Sequence, residues 1–94
     1  MIYRDDVTKY LESILQASTF KDYCPNGLQV AGRESVSNIG LAVTASLDAI
    51  EQAIEGQCDA LLVHHGLFWK GDDPCLTGMK AARVRALIVN NINL

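Results

Sequence analysis

Two short apolar runs separated by a helical segment place the strongest constraint on the fold of this chain. The runs are residues 39–44 and 60–63, and neither alternates between apolar and polar side chains, a pattern typical of strands covered on both faces. Between them, Ser46 is placed to cap a helix that ends at Gly56. The buried face of that helix is expected to hold Ala49, Ile50, Ala53 and Ile54. A strand, a helix and a strand in this order predict a right-handed crossover between parallel strands, and hence the α/β class.

An amphipathic helix is predicted ahead of this unit. Its apolar residues recur at helical spacing and are Val7, Tyr10, Leu11, Ile14 and Leu15. The helix is expected to begin at Asp5 or Asp6. After a loop that contains Asn26 and Gly27, residues 28–30 predict a short strand.

A third helix is predicted after the second strand, with Thr77 as its N-cap. Its inward residues are expected to be Met79, Ala82, Val84, Leu87 and Ile88, and its outward residues Lys80, Arg83 and Arg85. Residues 92–94 predict the beginning of another strand. Helices on both sides of parallel strands predict a three-layer α/β/α arrangement with a largely parallel sheet. Because the chain stops as that strand begins, residues 1–94 are expected to form a single partial α/β domain.

The charge balance and the cysteine spacing exclude several classes of protein. The chain has 8 basic and 11 acidic residues and no two adjacent Lys or Arg residues, whereas binding of nucleic acid or an anionic membrane needs a basic patch. Asp5 and Asp6 stand where a secretory signal would carry bases, and no membrane-spanning apolar run follows. The protein is therefore expected in the cytoplasm. The cysteines have no Cys-x-x-Cys spacing, which favours reduced thiols over a disulfide or a zinc knuckle.

The two histidines of the chain, His64 and His65, are adjacent at the carboxyl end of the second predicted strand. Ligands of open α/β sheets bind just beyond the carboxyl ends of strands, where an imidazole can face a site. Because neighbouring strand side chains point to opposite faces, two metal ions about 3.5–4 Å apart, each taking one imidazole, fit the pair better than one ion. The residues alone favour a hydrogen-bonded surface pair over a metal site, because a zinc or iron site needs at least about three protein ligands.

Few other residues are placed to complete a metal site. Asp72, Asp73 and Cys75 are within reach in the loop after the strand. Turn residues of this kind more often cap a helix or face solvent, and that alternative is favoured. Asp22 and Asp59 are weaker candidates still.

Other chemistry receives little support from the sequence. Cys24 has no neighbouring base and is therefore a poor candidate nucleophile. The glycine-rich phosphate-loop motifs are missing from the sequence. Phe68 and Trp69 either stack on a ring-bearing substrate or cover the strand end, and cover is favoured. Gly66 is expected to allow a close approach of the backbone.

Three stretches of the chain carry a family resemblance. They are residues 22–32 (DYCPNGLQVAG), residues 43–46 (VTAS) and residues 59–69 (DALLVHHGLFW). Together they resemble the amino-terminal part of the NIF-three-like family, whose members are often labelled GTP cyclohydrolase type 2 homologues. The similarity continues in order through Thr77, Gly78, Arg83 and residues 90–94.

The resemblance implies an α/β protein of the NIF-three-like fold with a dinuclear divalent-metal centre, assembled as a toroidal hexamer. It implies that His64 and His65 are metal ligands, and it does not distinguish zinc, iron and manganese. The other family ligands are an aspartate just after the strand that residues 92–94 begin, and a histidine and a glutamate near the carboxyl end. None of these has a counterpart in residues 1–94, so the chain is expected to be a fragment with an incomplete metal site.

Two functional hypotheses follow from the resemblance. The first is a metal-dependent hydrolase that acts on a nucleotide or a related ring or acyl substrate, with two ions lowering the pKa of a bound water. The alternative is a non-catalytic metal-binding protein with a regulatory or partner-binding role. For residues 1–94 alone we expect weak or partial metal binding, no hydrolysis, and self-association through an unpaired edge at residues 92–94.

Overall fold

The computed structural model describes residues 1–19 and 25–94, and it contains the predicted strand, helix and strand in order. In chain order, the elements are β1 (Ile2–Tyr3), α1 (Arg4–Leu15), β2 (Ser35–Val36), β3 (Ile39–Thr44), α2 (Leu47–Glu55), β4 (Ala60–His65) and α3 (Gly78–Val89). A 3-10 turn at Ala17–Thr19 follows α1. None of the helices in the described ranges is long and apolar enough to cross a membrane.

Strands β3 and β4 pair in parallel, as predicted, and α2 makes the connection between them. Leu41 lies opposite Leu62, and Thr44 lies opposite His65. Strands β1 and β2 form a separate antiparallel pair. Sequence reasoning missed this second pair because strands of two residues are too short to show an alternating pattern.

The N-cap of α2 is the predicted one. Ser46 Oγ accepts a hydrogen bond from the Ala49 N–H at 3.1 Å, which satisfies one of the free donors of the first helical turn. Ile50 and Ala53 are buried, while Ala49 and Ile54 are partly buried. Full burial of a side chain such as Ile50 contributes about 2 kcal/mol to stability. The helix is thereby held against β3, β4 and α3.

Strand β3 is covered on one face, and the prediction that both faces are covered is wrong. Ala42 packs against the core, but Leu41 is 76% exposed and Val43 is 68% exposed. The cause is the position of α1, which packs against β1 and β2 rather than over β3. The α/β class and the parallel sheet are confirmed.

Helix α1 begins at Arg4, just before the predicted start at Asp5 or Asp6, and none of its 12 residues is buried. Its apolar stripe faces open space instead of packed side chains. A cavity of about 680 Å³ lies between α1 and the sheet, and Leu11 and Leu15 of α1 and Leu62 of β4 are among its lining residues. The helix therefore forms an outer layer that is only loosely packed on the sheet.

Helix α3 buries fewer residues than predicted. Val84 and Leu87 are buried, whereas Met79, Ala82 and Ile88 are exposed. The helix contacts α2, so only a narrow stripe of residues three positions apart meets the core. The prediction for the other three inward positions was wrong because it assumed a wider contact.

Thr77 is the N-cap residue of α3, as predicted, although its side chain makes no capping hydrogen bond. The outward placement of two basic residues of this helix needs correction. Arg83 was expected to face outward, yet it is partly buried, and its Nε has no hydrogen-bond partner within the described chain. Lys80 is also partly buried, with its Nζ 5.3 Å from the centroid of the Phe68 ring. The long stems of Lys and Arg cover apolar surface here.

Residues 92–94 lie beside β4, as predicted for the start of a strand. Asn93 forms a parallel bridge with Ala60, and the Leu61 N–H donates to the Asn93 carbonyl at 2.8 Å. All three residues of this segment are buried. Because it fills the edge of β4 opposite β3, it extends the sheet.

Residues 28–30 were predicted as a strand, but they form an extended segment without regular strand structure. This segment pairs with the chain end, where the Leu94 N–H donates to the Val30 carbonyl at 2.9 Å and the Gln29 N–H donates to the Leu94 carbonyl at 2.7 Å. The expectation of an unpaired edge at residues 92–94 is therefore wrong. The strand with an unpaired edge is β3, which pairs only with β4 among the described strands.

Candidate functional site

The two histidines are the last residues of β4, at the carboxyl end of the parallel pair. Their ring centroids lie 4.4 Å apart with an interplanar angle of 64°. His64 is exposed and lines the cavity beneath α1, while His65 is partly buried. Although the two side chains start from opposite faces of the strand, their rings meet edge to face.

Trp69 packs on the second histidine. Its ring stacks on His65 with centroids 5.7 Å apart and an interplanar angle of 24°. The indole N–H donates to the Gly66 carbonyl at 3.2 Å, and 39% of the residue remains exposed. This arrangement favours the interpretation of Trp69 as cover for the strand end, while its exposed part stays open to solvent.

Gln29 holds the turn that follows the histidines, and sequence reasoning missed this contact. Its Oε1 accepts a hydrogen bond from the Leu67 N–H at 2.9 Å, and its Nε2 donates to the Pro25 carbonyl at 2.7 Å. A Cβ atom on Gly66 would overlap the amide of Gln29. Gly66 therefore does allow a close approach, but of the Gln29 side chain rather than of backbone. The signal available in the sequence was a polar residue between the apolar Leu28 and Val30.

The loop residues within reach of the histidines form no metal-binding group with them. Within residues 1–19 and 25–94, no group of three or more His, Cys, Asp and Glu side chains is arranged to hold a metal ion. Asp73 Oδ1 accepts a hydrogen bond from the Cys75 N–H at 2.9 Å, and this bond lowers the pKa of Asp73. Asp72, Asp73 and Cys75 are exposed, which fits the turn interpretation. Asp22 and Cys24 lie outside the described residues.

Asp59 has a structural role at the other end of β4. Its Oδ2 accepts hydrogen bonds from the backbone N–H groups of Ser37 at 2.8 Å and Asn38 at 3.0 Å. Arg33 Nη1 lies 2.9 Å from its Oδ1. The Ser37 N–H above all, and then the Asn38 N–H and the Arg33 charge, lower the pKa of Asp59, although burial opposes them. Asp59 precedes β4, whereas the histidines end it, so it is not placed as a ligand with them.

Comparison with known proteins identifies the family. The family model Duf34/NIF3 (NGG1p interacting factor 3) matches residues 2–94. A Neisseria meningitidis protein named GTP cyclohydrolase 1 type 2 homolog is 49% identical over 94 residues, which cover 100% of this chain and 38% of that relative. The chain is thus an α/β protein with a histidine pair at the end of a parallel strand. It belongs to the Duf34/NIF3 family.

Solved structures agree with this assignment. Protein ybgI, described as of unknown function, has a TM-score of 0.95 and 41% identity, and the match covers 99% of this chain and 38% of that one. The protein TTHA1606 from Thermus thermophilus has a TM-score of 0.92 and 38% identity, with the same coverage of both chains. The predicted family fold is confirmed for residues 1–94, which span 38% of the length of these relatives.

The two histidines are ligands of the right type for a metal centre, but two ligands are too few. Two imidazoles are suitable ligands for zinc and iron, and their ring contact places them close enough to serve one centre. At least about three protein ligands are needed for such a centre, and the described residues supply no cluster of three. The described residues alone therefore do not supply a complete ligand set.

Proposed function

We propose that His64 and His65 are ligands of a divalent-metal centre that holds two ions in a family chain of full length. The observation that carries the proposal is the contact between the two rings, with centroids 4.4 Å apart, at the carboxyl end of a parallel strand. That end of an open α/β sheet is where ligands bind. The exposure of His64 leaves its imidazole accessible to an ion.

The remaining ligands are proposed to come from chain segments beyond those in residues 1–94. The family resemblance implies an aspartate, a glutamate and one more histidine as further ligands. The Neisseria relative is long enough to supply them, because this chain spans 38% of its length. Zinc, iron and manganese all remain candidates for the ions. Residues 1–94 alone are expected to bind metal weakly, since two imidazoles leave most coordination positions to water.

The proposed activity is metal-dependent hydrolysis of a nucleotide or a related ring or acyl compound. Ions held at the proposed centre would supply a bound water of lowered pKa and would polarise the ring or acyl carbon of the substrate. His64 and His65 would hold the ions, and Trp69 would shield one face of the His65 ring from solvent. The name of the Neisseria relative, GTP cyclohydrolase 1 type 2 homolog, supports a nucleotide as the substrate.

A second candidate function is a non-catalytic metal-binding protein with a regulatory or partner-binding role. It is favoured by the exposed apolar side chains of Leu41 and Val43 on β3, which offer a surface for a partner. In either case we propose a cytoplasmic homo-oligomer, which the resemblance implies to be a hexamer in the intact protein. The odd number of cysteines without close spacing supports a reducing compartment.

Calorimetric titration with zinc and manganese tests the metal proposal. The chain is expected to bind either ion weakly, and His64→Ala is expected to abolish the heat signal. Cys75→Ala is the matched control, because Cys75 is an exposed potential ligand in the neighbouring loop. Binding that survives His64→Ala and disappears in the control would contradict the proposal.

An assay with purine nucleotides and manganese separates the two functions. The Neisseria relative should turn over substrate only with metal, and alanine replacement of its matching histidine pair should abolish turnover. Residues 1–94 alone should show none. Metal binding by the relative without turnover of any purine nucleotide would favour the non-catalytic role.

A further inference from the structure

The side-chain amide of Gln29 is held at both ends, and one of its partners is in the turn after the histidines. Oε1 accepts from the Leu67 N–H at 2.9 Å, and Nε2 donates to the Pro25 carbonyl at 2.7 Å. The backbone of Gln29 is itself fixed, because its N–H donates to the Leu94 carbonyl at 2.7 Å. The amide therefore projects from an anchored segment rather than from a free loop.

The turn fits closely around this amide. A Cβ atom on Gly66 would overlap both polar atoms of the Gln29 side chain, so any other residue at this position would displace the amide. The next residue, Leu67, is 5% exposed and belongs to the hydrophobic core. The turn is thus fixed from one side by the core and from the other by Gln29.

The same turn sets the position of the aromatic ring that packs on the histidines. The Trp69 indole N–H donates to the Gly66 carbonyl at 3.2 Å, and the Trp69 ring stacks on His65 at 5.7 Å between centroids. His65 in turn meets His64 at 4.4 Å. A continuous series of contacts therefore runs from the Gln29 amide to both imidazoles.

We propose that Gln29 is a positioning residue for the histidine pair. By accepting the Leu67 N–H, its side chain fixes the backbone after His65 and, through Trp69, the orientation of the His65 ring. The expected effect of Gln29 on metal binding rests on the function proposed above. Its expected effect on the orientation of the His65 ring does not. In the competing role, Gln29 only links residues 28–30 to the core. Its loss would then lower stability without moving the histidine and Trp69 rings.

Three variants separate these roles. Gln29→Met keeps the length of the side chain and removes both hydrogen bonds. Gln29→Glu keeps the acceptor for the Leu67 N–H and removes the donor to Pro25. Gln52→Met is the matched control, because Gln52 lies on the exposed face of α2 and bonds there with Asp48.

The readout is the nuclear magnetic resonance signals of the imidazole and indole rings in the metal-free protein. The chain has 2 His and 1 Trp, so every ring in the series is separately observable. Gln29→Met should shift the His65 and Trp69 ring signals, while Gln29→Glu and Gln52→Met should leave them near their wild-type positions. Unchanged ring signals in Gln29→Met, or equal shifts in Gln29→Met and Gln29→Glu, would overturn the proposal.

A replacement variant and a zinc titration separate the role of Gln29 from the proposed function. If Gln29→Met does not fold, Gln29→Asn takes its place, because it keeps the amide and shortens the side chain by one methylene group. Shifted His65 signals in Gln29→Asn support the positioning role, and unshifted signals overturn it. If the wild-type chain binds zinc, Gln29→Met should raise the dissociation constant severalfold, which is less than the roughly tenfold or greater increase that follows loss of a group hydrogen-bonded directly to a ligand. If the wild type binds no metal, the proposed function fails for this chain, and the ring signals alone decide the positioning role.

Discussion

Asn93 donates a hydrogen bond from its side-chain nitrogen to the main-chain carbonyl of Asp59 at 3.0 Å. The same nitrogen donates to the Arg33 carbonyl at 2.9 Å, and Asn93 Oδ1 accepts from the Gly32 N–H at 2.6 Å. The residue is 3% exposed. One buried amide therefore ties the chain end to the beginning of β4 and to the segment before β2.

Replacement of Asn93 should destabilise the protein strongly, although the side chain that is lost is small. Asn93→Ala removes the side-chain partner of three backbone groups. The Asp59 carbonyl keeps its bond from the main-chain N–H of residue 93, so the Gly32 N–H and the Arg33 carbonyl are left unsatisfied, at about 1–3 kcal/mol each. We expect the free energy of unfolding in urea to fall by at least about 2 kcal/mol. Asn26→Ala, which removes a single exposed bond to Ala17, is the control and should cost less than about 1 kcal/mol.

Protonation of Asp59 at low pH should lower the stability of the folded protein. The pKa of Asp59 is lower in the folded protein than the ordinary value of 3.8, so its contribution to stability is present at higher pH. That contribution is lost as the pH falls through the folded pKa. Urea midpoints measured from about pH 7 to about pH 3 should decline less steeply in Asp59→Asn than in the wild type.

Asp73→Asn is the control for this experiment. The pKa of Asp73 is also lowered, chiefly by the Cys75 N–H, but the residue is exposed, so solvent screens its contribution. Its pH profile should follow the wild type. A wild-type profile in Asp59→Asn would contradict the assigned network.

Self-association of the chain is expected to involve β3. The outer edge of this strand pairs with no other described strand, and Leu41 and Val43 are 76% and 68% exposed; such an edge favours pairing with another chain. Light scattering should show a smaller mean mass for Leu41→Lys than for the wild type at equal concentration. Val89→Lys changes a comparably exposed residue, 69%, on α3 and should leave the mass unchanged.

Local sequence patterns predicted β3, α2 and β4 well, because the residues that define these elements are close in sequence. Ser46 caps α2 through a bond to a residue three positions away, and apolar runs mark β3 and β4. The burial of α3 was predicted less well because the width of its contact depends on where α2 lies. Helical spacing alone cannot distinguish Ile88, which is 55% exposed, from Leu87, which is fully buried.

Long-range pairing explains the remaining errors. Val30 pairs with Leu94 across most of the chain, and no local pattern connects these two residues. The histidine pair was found from its place after an apolar run, but its contact with Trp69 and the support from Gln29 required the folded structure. A glutamine in an extended segment carries no sign of its partner 38 positions away.

The most direct test of the proposed metal centre is line broadening by Mn²⁺ at the two imidazole rings. Added in small amounts, Mn²⁺ should broaden the ring signals of both His64 and His65 before other signals, because their centroids are 4.4 Å apart. The His64→Ala and His65→Ala double variant should lose the early broadening of the neighbouring Trp69 signal. Early broadening at Asp72 and Asp73 with both imidazole signals still sharp would contradict the account.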